Sequence, residues 1–126
     1  MNIEKLTQIT NGLLYYSESE NPFTISGWGK LSTQDIKQHI SKEAEGELHE
    51  IAADDFFMKM TRLADPSDTD MVANANKAKA LQVYLKENLA HMQVYRVEGN
   101  AQIPIFIICV DRDGNCTTLR TLSIET

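Results

Sequence analysis

The sequence predicts an α/β (α+β) fold: a three-layer α/β/α sandwich with a mixed, largely antiparallel sheet. Three observations carry this expectation. Ile103 to Val110 is apolar on both faces, the mark of a strand covered on two sides. Helical apolar stripes lie before and between the strand-like segments, which supplies the covering layers. Asp113-Gly114 separates two strand-like runs, as a hairpin of antiparallel neighbours requires. With 126 residues, no internal repeat and no linker, one domain spanning 1–126 is expected.

Taken in order, residues 2 to 11 read as a helix. Ile3, Leu6 and Ile9 form its stripe, and Gly12 stands where a C-terminal glycine belongs. Leu13 to Tyr16 want burial, Ser17 to Asn21 want water, and Phe23 and Ile25 want burial again. The acidic loop between them is thus pinned at both ends, and Pro22 narrows its shapes further. Phe23 to Trp28 alternates as a strand, with Trp28 core or partly buried. Ser32 or Thr33 caps a second helix bearing Ile36 and Ile40, which fades into the charged run Glu43 to Glu47. Leu48 to Ala52 is a short strand. Asp54 or Asp55 caps a third helix with Phe56, Phe57, Met60 and Leu63 on its core face.

Asp65 to Asp70 is a turn, with Thr69 or Asp70 capping the next helix. That helix, the longest, runs from Met71 to about Leu89. Its stripe is Met71, Ala75, Ala78, Leu81, Leu85, Leu89 and Met92, and its alanines suit close packing on a sheet. Gln93 to Val97, Ile103 to Val110 and Thr117 to Ile124 are strands, with Pro104 tolerated near the start of the second. A two-residue Asp113-Gly114 turn would set Cys109 opposite Thr118 and one diagonal from Cys116. That separation, roughly 7–8 Å between α-carbons, is too wide for an easy disulfide. Both cysteines are expected as free, buried thiols, which fits a reducing cytoplasm.

Composition narrows the function. Hydrophobic residues make up 42% and charged residues 24%, as in a soluble globular protein. The net charge is −6, so direct nucleic-acid binding is disfavoured by phosphate repulsion, while docking onto a basic surface is favoured. The N-terminus lacks a basic segment followed by an apolar run, and the longest apolar run is too short to span a bilayer. A cytoplasmic monomer with no membrane contact is the expectation.

Catalytic and metal motifs are missing from the sequence. It has no nucleophile elbow and no glycine-rich phosphate loop. His39, His49 and His91 lack ligand spacing. The aspartates at 65–70 and at 111–113 fail the calcium-loop pattern for want of the required glycine and glutamate. Glu18 and Glu20 form a carboxylate pair, but nothing nearby marks a substrate pocket. Neither an enzyme nor a protein with its own metal or cofactor is expected.

The stretch Gly12-Leu-Leu-Tyr-Tyr-Ser-Glu-Ser-Glu-Asn-Pro-Phe23 resembles the signature of the nuclease A inhibitor family, inhibitors of a sugar-nonspecific nuclease. Gln93-Val94-Tyr95-Arg96 and Ser123-Ile124-Glu125-Thr126 agree with it in the same order. The resemblance implies the sandwich fold and a specific activity: inhibition of a Mg²⁺-dependent, nonspecific endonuclease. In that family a glutamate of the acidic loop and the C-terminal threonine enter the nuclease's active site, with the threonine at the magnesium. The matching positions are Glu18 and Thr126, with Ser17, Ser19, Glu20 and Glu125 beside them in the same motifs. Carboxylates where phosphates would sit, and an oxygen near a hydrated, hard cation, are what such a site accepts. The family also carries an aromatic and acidic residues in the loop before the long helix. Here that loop keeps its aspartates and has no aromatic, which takes one anchor out of the implied contact surface. An alternative of another class is a protein-interaction domain of the same fold that binds a different basic partner.

Overall fold

The computed structural model describes residues 2–62 and 65–126. Helix α1 spans Ile3–Thr10, and the Asn2 side chain accepts from the Lys5 amide at its start. Gly12 follows at φ +78°, and a Cβ there would stand 2.7 Å from Lys77 Nζ. A residue with a side chain would suffer the left-handed backbone, while the lysine tip could swing aside. Strands β1 (Leu14–Tyr16) and β2 (Glu20–Pro22) then form a separate antiparallel ribbon with Tyr16 opposite Glu20. The acidic loop is therefore shorter than expected, because its flanks pair with each other.

The main sheet holds β3 (Thr24–Lys30), β4 (Glu47–Ile51), β5 (His91–Glu98), β6 (Gln102–Val110) and β7 (Asn115–Ile124). Their order is β3-β7-β6-β5-β4, and every pairing among the described residues is antiparallel. The sheet, expected to be mixed and largely antiparallel, is antiparallel in each of these pairings. Helix α2 spans Thr33–Glu43, α3 Ala53–Thr61 and α4 Thr69–Asn88.

Two apolar clusters lie on opposite faces of the sheet. On one, Leu6 of α1, Phe56 and Phe57 of α3 and Ala78, Leu81 and Leu85 of α4 pack on Val94, Ile105, Ile107, Cys109 and Leu119. On the other, Ile36 and Ile40 of α2 pack on Tyr95, Val97, Phe106, Ile108, Val110 and Cys116. Alternation along β6 feeds both clusters, which is why its sequence is apolar throughout. Each buried leucine, isoleucine, valine or phenylalanine among them contributes about 1.5–3 kcal/mol.

Several local expectations change. Asp68, not Thr69 or Asp70, caps α4 by accepting from the Asp70 and Met71 amides. Ala52 precedes α3 without a side-chain cap, and Asp54 and Asp55 lie in its first turn, where their charge suits the helix dipole. Met92 belongs to β5 and packs on the same cluster as the α4 stripe. Leu63 lies outside the described residues.

The hairpin register is one residue off the expected one, with Cys109 opposite Thr117 and Val110 opposite Cys116. The Asp111 side chain accepts from the Asp113 and Asn115 amides, at 3.0 Å each, and Gly114 sits at φ +86°. This holds a longer turn in place of the two-residue one. A one-residue slip reverses faces, so Cys109 joins one cluster and Cys116 the other. Both are free and buried, with the sheet between their side chains.

Candidate functional site

The ribbon is anchored on both edges. On the helix side, the buried Asn74 of α4 places its carboxamide against Leu14. Its Oδ1 accepts from the Leu14 amide at 2.8 Å and its Nδ2 donates to the Leu14 carbonyl at 2.9 Å. One side chain thereby satisfies both backbone groups of Leu14, as a neighbouring strand would.

On the sheet side, the ribbon is stitched to the end of β7. Asn21 Nδ2 donates to the Leu122 carbonyl at 3.1 Å, and Thr121 Oγ1 donates to the Pro22 carbonyl at 3.0 Å. The Ile124 amide donates to Ser17 Oγ at 2.9 Å, and the Glu18 amide donates to the Ile124 carbonyl at 3.2 Å. Within the tip, the Ser17 amide donates to the Ser19 carbonyl, and Asn21 Nδ2 donates to Ser19 Oγ.

This stitching brings Glu18 to Thr126, 108 positions away in sequence. Thr126 Oγ1 donates to Glu18 Oε1 at 2.7 Å, and the Thr126 amide donates to Glu18 Oε2. The contact is solvent-exposed. The Thr126 hydroxyl, and after it the Thr126 amide, holds the Glu18 carboxyl below its ordinary range, against weaker opposition from desolvation and from the charge of Glu125. The donors are neutral, so the negative charge of Glu18 is oriented without being cancelled.

Glu125 behaves differently. One terminal nitrogen of Arg96 donates to both of its carboxylate oxygens at 2.7 Å, and Ser123 Oγ donates to Oε2 at 2.7 Å. Arg96 lowers the Glu125 pKa, with Ser123 assisting. The reciprocal contact raises that of Arg96. The Arg96 side chain is only 16% exposed, against 42% for that of Glu125. Glu125 is thus committed to an internal ion pair.

Glu20 faces a third environment. It lines a groove of about 500 Å³ with Tyr16, Asp68, Asp70, Asn74 and Lys77 among its walls. Burial, then the charges of Glu20, Asp68 and Asp70, push the Tyr16 hydroxyl pKa up.

The six sequence-predicted residues therefore divide. Ser17, Glu18 and Thr126 form one rim, Ser19 braces the ribbon tip, Glu20 joins an acidic groove, and Glu125 turns to Arg96. Sequence reasoning missed Arg96 as part of this region, and it counted the aspartates at 65–70 in the implied contact surface without naming Asp68 and Asp70 as site residues. Arg96 ends one of the motif stretches, and the two aspartates belong to the acidic loop before α4, so the signals were in view.

The histidines take other roles. His39 stacks on Trp28, with ring centroids 3.9 Å apart, and sits 3.5 Å from Glu43. His49 lies near Glu47 and Glu98. His91 opens β5. Among the described residues, no group of three His, Cys, Asp or Glu side chains is placed to hold a metal ion. Nor is any helix among them long and apolar enough to cross a membrane.

Comparison with known proteins adds one finding. The sequence model of a family described as nuclease A inhibitor-like protein matches residues 2–126. No curated protein matches the chain. A match over nearly the whole length takes in the ribbon, the Arg96 strand and the last residue together. The chain belongs to the nuclease A inhibitor-like family.

Proposed function

We propose that the chain inhibits a sugar-nonspecific, Mg²⁺-dependent endonuclease by placing the Glu18–Thr126 rim in its active site. The observation that carries this reading is the contact itself: two exposed oxygen-bearing side chains from opposite ends of the sequence, held together by a hydroxyl and an amide donor. A nuclease groove binds phosphate and a hydrated cation. The Glu18 carboxylate supplies the negative charge, and the Thr126 hydroxyl supplies a neutral oxygen for the water shell of the partner's magnesium.

Glu20, Asp68 and Asp70 add negative surface in the groove that Tyr16, the residue before Ser17, also lines. The net charge of −6 attracts a basic groove over a distance, so association is fast at low ionic strength and slows as salt is added. The chain performs no chemistry in this mechanism and acts as a single-domain monomer, blocking one enzyme molecule each.

The test is a DNA-degradation assay. A Mg²⁺-dependent nonspecific endonuclease is titrated with the intact chain, with a chain lacking Thr126, and with Glu18→Ala. Stoichiometric inhibition by the intact chain, weakened in both variants, is the expected result. A folded chain that inhibits no such nuclease overturns the reading. Capture of another basic protein, lost on charge reversal at Glu18, would then put the interaction-domain alternative first.

A further inference from the structure

We infer that Arg96 is a positioning residue that presets the direction of Thr126. The inference rests on the reading of the Glu18–Thr126 rim as the inhibitory surface, and it assigns Glu125 an internal task in place of a partner contact.

Three elements converge on Glu125, one position beyond β7. Arg96 reaches it from β5, two strands away in the sheet. Ser123, fully buried two residues earlier, donates to the same carboxylate. The Glu125 amide donates to the Ala101 carbonyl in the turn between β5 and β6, at 2.9 Å. Side chain and backbone of Glu125 are therefore both held.

Alternation does the rest. Along an extended chain, neighbouring side chains leave on opposite sides. With Ser123 and Glu125 drawn toward Arg96, Thr126 is directed away from it, to the rim where Glu18 accepts its hydroxyl and amide. Residues that run on past the last strand are ordered only where they are tied down. Here the tie is an ion pair that is mostly shielded on its Arg96 side. Without it, the ordering of residues 125 and 126 would have to be completed on binding, which weakens association by about 10- to 100-fold. The pairing across the sheet involves no residue of the rim, so its loss acts there through the position of Thr126 and through the charge of Glu125 beside Glu18.

The experiment is backbone ¹⁵N relaxation on the free, full-length protein, followed by the nuclease titration. Arg96→Gln and Glu125→Ala are compared with the unaltered chain. Glu125→Ala is the second variant because its side chain lies at the exposed end of β7, so folding is preserved should Arg96→Gln disturb β5. The expected result is a rigid Thr126 amide in the unaltered chain and a mobile one in both variants, with β6 and β7 amides unchanged and inhibition weakened about 10- to 100-fold. A Thr126 amide as rigid in Glu125→Ala as in the unaltered chain overturns the inference. A mobile Thr126 with undiminished inhibition also overturns it, while leaving the inhibitor reading intact. Failure of the unaltered chain to inhibit sinks that reading instead, and the relaxation data still decide whether Arg96 orders the chain end.

Discussion

The rim at Glu18 and the clamp at Glu125 lie side by side and use the same functional group in opposite ways. Glu125 meets a guanidinium that is mostly shielded from water. Its charge is cancelled, and the pair holds strands together. Glu18 meets a hydroxyl and an amide. Its charge is aimed but uncompensated, so it remains available to a cation outside the molecule. The opposite face of the sheet repeats the first pattern. There Arg120 lies 3.5 Å from Glu43 and 4.9 Å from the Phe106 ring centroid, and His39 also faces Glu43. The partner of a carboxylate, more than its exposure, separates a structural acid from the one proposed to dock.

Reversing the charge at the rim is the sharpest way to break this contrast. Glu18→Lys should weaken nuclease inhibition more than any other change named here, because it sets a like charge against a basic groove. The thermal midpoint of the free protein should barely move. A large drop in that midpoint would make Glu18 structural and remove the distinction.

The clamp should respond the other way. Arg96→Gln should cost about 1.5–3 kcal/mol of folding stability, the range for hydrogen bonds to charged groups. Urea unfolding measures it, and an unchanged midpoint would mean that the pair adds nothing over its solvated parts.

Acid should weaken both regions, with the same sign. Glu18 and Glu125 each have a lowered pKa in the folded state. Their contribution is therefore complete above the ordinary glutamate value of 4.5 and is lost as pH falls from there toward the lowered native values. Stability should be flat between about pH 6 and 8 on their account and should decline below about 4.5. Glu125→Gln should remove part of that decline in a pH series of melts. An identical acid slope in the variant would mean that other carboxylates carry it.

The smallest effect belongs to the α2 face. Glu43→Gln removes an exposed pair with Arg120 and should cost under about 1 kcal/mol. Inhibition should be unchanged in the same titration, and a clear loss there would place the contact surface on the wrong face.

How much of this was legible in advance depends on range along the chain. The two-faced apolar run at 103–110, the glycine after α1 and the Ser32 start of α2 are local signals, and the structure bears each of them out, while of the expected α1 stripe Leu6 is buried, Ile9 is half-buried and Ile3 is exposed. The β1–β2 ribbon was not legible. Its strands are three residues long, too short for periodicity, and one edge is completed by a side chain of α4. The hairpin register was misjudged because the Asp111 side chain, not the Asp-Gly pair alone, sets the turn. The caps of α3 and α4 were misplaced toward the C-terminus, since several adjacent aspartates could each begin a helix.

By itself, the sequence determined the fold class, the acidic balance and the motifs that mark the family, because periodicity, net charge and short motifs are written in neighbouring residues. Only the tertiary structure decided which carboxylate does what. Glu18 and Thr126 meet because the ribbon is bonded to β7. Glu125 meets Arg96 because the sheet sets β5 two strands from β7. Nothing local distinguishes the two glutamates. The difference lies in partners 108 and 29 positions away, and those distances are closed by strand order and register rather than by any property of the adjoining residues.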